Sequence, residues 1–399
     1  MIGLSGMVAL LFGLQFVSMA AMEMSGPFWS AYLRGLVVAD RAFILYSSAA
    51  YVAPMLGIAL SSGFWGRMGD RFGHRAMMAR ALLGLAVTQG LISITQDPVA
   101  IVALRLAQGL LAGYIAPAQA YGAGISSPAE RGALFALLQT ATNAGSVSGA
   151  FFGGLIFDAA SFPTINATAA LACAACALVV LLCLPQLAPA ARIYAAERAV
   201  GVSRDVKAVL FLAAALVFAR MVMQVPFALY LADRFGASNT TIGLTYGAMA
   251  LGFILGAPIF ARLARGQGPR KILLLSVGLA LACAATTMLI GAVRDVSLFC
   301  ALYLVWGILL GGTTPLLLGS ASALSDETVQ GRLMGQAHAL KTIGSMLAIG
   351  LGAWVSQSIG FNLLFPLISA LYAACAAGAL VLAMRPAFAG YSAGGRSTL

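Results

Sequence analysis

Charge is what this chain has least of. Only 9% of its 399 residues are Asp, Glu, Lys or Arg, with 12 acids and two histidines, His74 and His338. Water-soluble globular chains carry about 25% charged residues, so this composition excludes an ordinary soluble domain. No stretch has the G-x-x-x-x-G-K-[ST] spacing that cradles a nucleotide phosphate, which argues against ATP-driven pumping. Acids and histidines are not grouped at metal-ligand or acid–base spacing either, so an enzyme is not expected, nor a resident metal or cofactor. The six cysteines, Cys173, Cys176, Cys183, Cys283, Cys300 and Cys375, all fall in apolar runs. The C-x-x-C at 173–176 lacks a second pair, and it reads as small packing residues.

Apolar side chains take the place of charge: they make up 61% of the chain, with a mean hydropathy of +0.96. A bilayer core about 30 Å thick needs roughly 20 mostly apolar residues per helical crossing. Twelve runs fit, near 4–32, 43–65, 77–96, 98–122, 133–157, 164–185, 207–231, 240–261, 272–292, 296–318, 332–357 and 362–384. The expected fold class is therefore an all-α membrane protein with 12 transmembrane helices. The first run has no basic leader and is read as a span, not a removable signal. An even count puts both termini on one side. With the N-terminus inside, the inner loops hold sixteen Lys or Arg and the outer loops only four, Arg34, Arg41, Arg234 and Arg294. Basic loops stay cytoplasmic, so both termini are expected there. The net charge of +11 then follows from orientation and implies no nucleic-acid partner.

The chain also reads as written twice. "GRMGDRFGHR" at 66–75 falls on "ARLARGQGPR" at 261–270, and "RLAQGLLAGYIAP" at 105–117 on "YLVWGILLGGTTP" at 303–315. "MEMSGPF" at 22–28 falls on "MVMQVPF" at 221–227, and "NAGS" at 143–146 on "TIGS" at 342–345. Four ordered matches at an offset of 195 to 199 imply a parallel repeat of two six-helix halves, 1–185 and 207–385. A polar linker at 186–206 joins them, and a cytoplasmic tail follows at 386–399. Paired bundles of this kind carry substrate near the membrane midplane and open alternately to each side, so the architecture argues for transport.

The stretch "GRMGDRFGHR" resembles the G-x-x-x-D-R-x-G-x-R signature of the major facilitator superfamily, with Gly66, Asp70, Arg71, Gly73 and Arg75 in its positions. "RLAQG" at 105–109 and "GSVSGAFFGG" at 145–154 are similar to the helix-four arginine motif and the helix-five motif of its 12-helix drug:proton antiporter branch. Ala150 stands where the helix-five motif has proline. The resemblance implies the major facilitator fold and a proton-coupled exporter working by rocker-switch alternating access. It also implies a gate at 66–75, where Asp70 faces the positive N-terminal end of helix eleven near Gly331 and Arg332. In this reading 66–75 is a loop turned at Gly66, Gly69 and Gly73, and Glu130 and Arg131 in the next inner loop are grouped with the gate.

Ionisable groups in mid-span are expensive, about 2.5–3.5 kcal/mol by insertion scales, so each is a functional candidate. They are Glu23, Arg105, Arg220, His338 and Lys341. Glu23, beside Gly26 and Pro27, is the one acid deep in a span and the candidate proton carrier. Arg105, always charged, with Gln108 one turn along, is the candidate coupling residue. Cavity lining is assigned to Phe28, Tyr32, Tyr51, Gln108, Tyr114, Gln139, Asn143, Arg220, Gln224, Tyr246, Trp306, His338 and Lys341. Gly145, Gly149 and Gly153, spaced by four, suit close helix packing. The expected cargo is a small amphipathic molecule exchanged for protons by a monomer in the lipid bilayer of a bacterial inner membrane. The excess of cations over Glu23 keeps open an anionic metabolite such as a carboxylate siderophore, and a non-transporting receptor is a further alternative.

Overall fold

The computed structural model describes residues 4–127, 130–187, 203–325 and 330–389, and it is helical almost throughout. The side chains of Asp70, Gly331 and Arg332 lie outside the described set, as do linker residues 188–202 and tail residues 390–399. The expected contact of Asp70 with helix eleven therefore falls outside the described residues.

In chain order the helices are α1 (Leu4–Glu23), α2 (Trp29–Leu36), α3 (Asp40–Phe72), α4 (His74–Ile94), α5 (Pro98–Leu111) and α6 (Ile115–Ile125). Then come α7 (Arg131–Ala159), α8 (Phe162–Cys183), α9 (Arg204–Met221), α10 (Pro226–Phe235) and α11 (Asn239–Ala264). The last are α12 (Pro269–Ala292), α13 (Val296–Ala323), α14 (Gln330–Ser358), α15 (Leu364–Ala383) and the short α16 (Pro386–Ala389). Among the described residues eleven helical segments are long and apolar enough to cross a membrane. Helix α7 is long enough but carries Gln139, Thr140, Thr142, Asn143, Ser146 and Ser148, which lower its apolarity.

Short connections start their helices with side-chain caps. Asp97 accepts from the amides of Val99 and Ala100, Ser161 from Thr164 and Asp295 from Leu298. Each cap satisfies amides that the first turn of a helix leaves without partners.

Two expectations are corrected. Residues 66–72 are not a loop: α3 runs on through Phe72, and the chain turns only at Gly73, whose φ of +85° suits a residue without a β-carbon. A run of small residues ending in a charged turn satisfies its own backbone as helix, so Gly66 and Gly69 are helical positions. The run at 98–122 is not one helix either. It breaks at Ala112–Tyr114, where Gly113 takes a φ of +104°.

Two compact units result. The first holds α1 to α8 together with residues 231–247, and the second holds the rest of the described chain. Within the first, α1 packs on α7, α3 on α5 and α4 on α8; within the second, α9 packs on α14 and α12 on α15. The α1–α7 and α9–α14 contacts are built alike, by backbone on backbone. A β-carbon added at Gly153 would strike the Met24 carbonyl, and one added at its repeat mate Gly352 would strike that of Val222. Gly145 and Gly149 meet the α1 backbone in the same way, at Phe16 and Ala20. Leu11, Leu82, Tyr121, Leu138, Ala177 and Val180 form the dry centre of the first unit.

Candidate functional site: a charged cluster at the α1–α2 break

Helix α1 ends at Glu23 because the next residues resist helix. Pro27 has no amide hydrogen to donate, and the chain passes through a 3-10 turn at Gly26–Phe28 before α2 begins. Glu23 is half-buried at this break, and a β-carbon at Gly26 would lie 2.7 Å from its Oε2, so the glycine makes room for the carboxylate. An acid at the negative C-terminal end of a helix is unfavourable unless a cation opposes it. The Arg105 guanidinium on α5 lies within electrostatic reach of Tyr51 and, more weakly, of Glu23.

The guanidinium of Arg105 is held on three sides. Its Nε donates to the Ala50 carbonyl at 2.8 Å and its Nη1 to Gln108 Oε1 at 2.6 Å. Its central carbon sits 4.7 Å from the centroid of the Trp29 ring, which is fully buried at the start of α2. Tyr51 on α3, 7% exposed, interacts with Tyr246 on α11 as well as with Arg105. Ser25 Oγ and Trp29 Nε1 are buried at the same break without a hydrogen-bond partner. The arrangement offers an acid, a fixed cation, an aromatic wall and spare donors in one place.

The second unit carries rings where the first carries charge. Arg105 and Gln108 correspond in the repeat to Tyr303 and Trp306. Tyr303 stacks on Phe299 at 5.0 Å and lies 5.2 Å from Phe227, while Trp306 meets Tyr303 edge-on. Trp306 and Tyr372 are fully buried, and Arg220, in the last turn of α9, interacts with Tyr372. Gln224 lies in the break between α9 and α10, the counterpart of the one after Glu23. On α14, Lys341 is half-buried and His338 exposed, one turn apart.

Several candidates lie away from the cluster. Phe28 is fully buried edge-on to Phe157, Tyr114 packs in the apolar centre of the first unit, and Trp306 is packed among rings. Tyr32 stacks on Phe162 at 4.2 Å. Gln139 donates to Asn143 along α7. Arg75 donates to the carbonyls of Val180 and Leu181, tying α4 to α8 inside the first unit. Arg71 lies over its neighbour Phe72, and Glu130 accepts from Ser127 just before Arg131 opens α7.

Three polar placements escaped the sequence reading. Arg80 lies over the Trp65 ring at 3.7 Å and donates to the Leu111 carbonyl at 2.8 Å, and Trp65 Nε1 donates to that of Leu110 at 2.6 Å. These donors serve carbonyls exposed by the α5–α6 break, which has no proline to announce it. Gln15, 1% exposed, reaches from α1 to Thr142 on α7 at 2.9 Å. Asp158, just past an apolar run, is bonded to residues 81 and 82 positions away. An unusual polar residue in an apolar run was the available signal for Gln15; the partners of the other two are too distant in sequence to read.

Comparison with known proteins identifies the family. The sequence profile of the Major Facilitator Superfamily matches residues 11–207 and 210–396. The chain is 24% identical over 374 residues to "Multidrug resistance protein MdtG" of Proteus mirabilis (strain HI4320), covering 88% of this chain and 89% of that one. It is 31% identical over 152 residues to "Staphyloferrin B transporter" of Staphylococcus aureus (strain NCTC 8325 / PS 47), a match spanning 38% of this chain and 36% of the relative's length. In fold it is similar to the crystal structure of a D-xylose-proton symporter, with a TM-score of 0.72 at 15% identity over 93% of this chain and 95% of that one. Eleven apolar spans and these bacterial relatives indicate a multi-pass protein of the inner membrane, a transporter and not an enzyme. The chain belongs to the Major Facilitator Superfamily.

Proposed function

We propose that this protein is a proton-coupled exporter of small amphipathic molecules, in which Glu23 carries the proton and Arg105 couples its release to cargo. The observation that carries the reading is a half-buried Glu23 at a helix break, within electrostatic reach of a triply held Arg105 beside Trp29 and Tyr51. A carboxylate beside a fixed cation stays ionised until cargo or a conformational change alters that cation's field, after which it takes up a proton. Rings and spare donors at the same break suit a molecule with apolar faces and a few polar groups. The multidrug relative favours the same cargo class.

In this reading α7 is the twelfth span, both termini are cytoplasmic, and a single chain works by alternating access between its halves, 1–185 and 207–385. The stretch from Gly66 to Arg75 gates the inner side. A second reading, export of an anionic metabolite, is favoured by Arg105, Arg220 and Lys341 outnumbering Glu23, and by the relative named for staphyloferrin B.

Purified protein in liposomes decides between them. With a pH gradient imposed, ethidium serves as the cationic amphipathic probe and citrate as the anionic one. Uphill movement of ethidium that collapses with the gradient supports the first reading, and uphill movement of citrate alone supports the second. Movement of neither contradicts both.

A further inference from the structure

Asp158 stands in the last turn of α7, where its negative charge meets the negative end of its own helix and gains nothing from it. Its carboxylate is instead satisfied by the start of α11. Oδ1 accepts from the backbone amide and the side-chain Nδ2 of Asn239, both at 2.9 Å. Oδ2 accepts from the backbone amide of Thr240 at 2.7 Å and from its hydroxyl at 2.6 Å. Two of the four amides that a helix start leaves unpaired are thus capped by a residue from a distant part of the chain.

Directly below, α7 and α11 touch through backbone. A β-carbon at Gly154 would strike the Asn239 carbonyl, and one at Gly243 would strike that of Ala150. Both contacts and the cap lie inside the first unit, which includes residues 231–247. Helix α11 then continues to Ala264, in the second unit. Asp158 on α7 therefore holds the leading end of α11.

We infer that the Asp158 cap is the latch of the outer face: opening that face during the transport cycle requires the four hydrogen bonds to part, and their strength sets how often it opens. Asp158 acts as a positioning residue, holding α11 without touching cargo. The inference rests on the transporter reading, which puts 158 and 239 outside.

A distance measurement that needs no cargo tests it. Spin labels replace Val38, 90% exposed, and the exposed Arg294, both in outer connections, while Cys183 and Cys300 are changed to serine. Electron–electron resonance on wild-type background and on Asp158→Ala then gives the distance distribution. Charge-assisted bonds are about twice as strong as neutral ones, so Asp158→Ala is expected to raise the share of longer distances about tenfold or more. Thr240→Val, which removes one donor and leaves the cap, is expected to raise it a few-fold, and it carries the test if Asp158→Ala does not fold. A folded variant with an unchanged distribution, even one that melts earlier, overturns the latch. Ethidium and citrate fluxes are run on the same preparation: failure of the wild type to move either contradicts both proposed cargo readings, while the distances still decide the latch.

Discussion

Arg105 shows how one side chain can be read from sequence and yet be understood only in place. An arginine inside an apolar run is conspicuous, and its charge was legible; its three simultaneous holds, on Ala50, Gln108 and the face of Trp29, were not. A lysine keeps the charge but lacks the planar fork that meets two acceptors while lying on a ring. Arg105→Lys is therefore expected to cut uphill transport at least about tenfold with melting temperature nearly unchanged. Wild-type rates in Arg105→Lys would show that charge alone suffices. At Asp158 burial by itself raises the carboxyl, but the bonds from Thr240 and Asn239 together outweigh it and hold the group below the ordinary aspartate value. Its contribution is complete above the unfolded pKa and fades as pH falls through the lower folded one. The difference in melting temperature between wild type and Asp158→Asn is thus expected to be constant from neutral pH down to roughly 5 and to shrink below roughly 4. A difference that grows on acidification would contradict this.

Elements were legible where length and proline announce them. Runs of the right length became helices, and the break after Glu23 follows from Ser25, Gly26 and Pro27. The break at Ala112–Tyr114 was hidden, because Gly113 sits in an apolar run whose nearest proline, Pro117, is already inside α6. Its exposed carbonyls are held by Arg80 and Trp65. Arg80→Ala leaves the Leu111 carbonyl without that donor and is expected to cost about 1–3 kcal/mol, read as a lower melting temperature in detergent. No loss would mean that water serves the break equally well. The glycines of α7 were legible as packing residues, but their partner helix was not. Gly153→Leu on the α1 interface and Gly352→Leu on the α9 interface are each expected to destabilise by about 1–3 kcal/mol or more through overpacking. A large loss from one and none from the other would show that the two repeats are not packed alike.

At the scale of the whole molecule the duplicated sequence implies two six-helix halves; the family match covers residues 11–207 and 210–396, and the chain divides into two compact units whose bounds differ from those halves. The division of labour between them was not readable. At equivalent positions the first unit holds Arg105 and Gln108 and the second Tyr303 and Trp306, so a part-buried charge on one side is matched by packed rings on the other. Nor did the sequence show that residues 231–247 group with the first unit, because their contacts with α7, the Asp158 cap among them, join residues about 80 or more positions apart. The proposed transport cycle turns on one acid at a helix break, Glu23, exchanging a proton each time. It is tested most directly by the proton-to-cargo ratio of Glu23→Gln in liposomes, whose neutral amide keeps the shape of the side chain and cannot be protonated. Loss of uphill transport with cargo exchange retained is the predicted result; uphill transport at the wild-type ratio would contradict it.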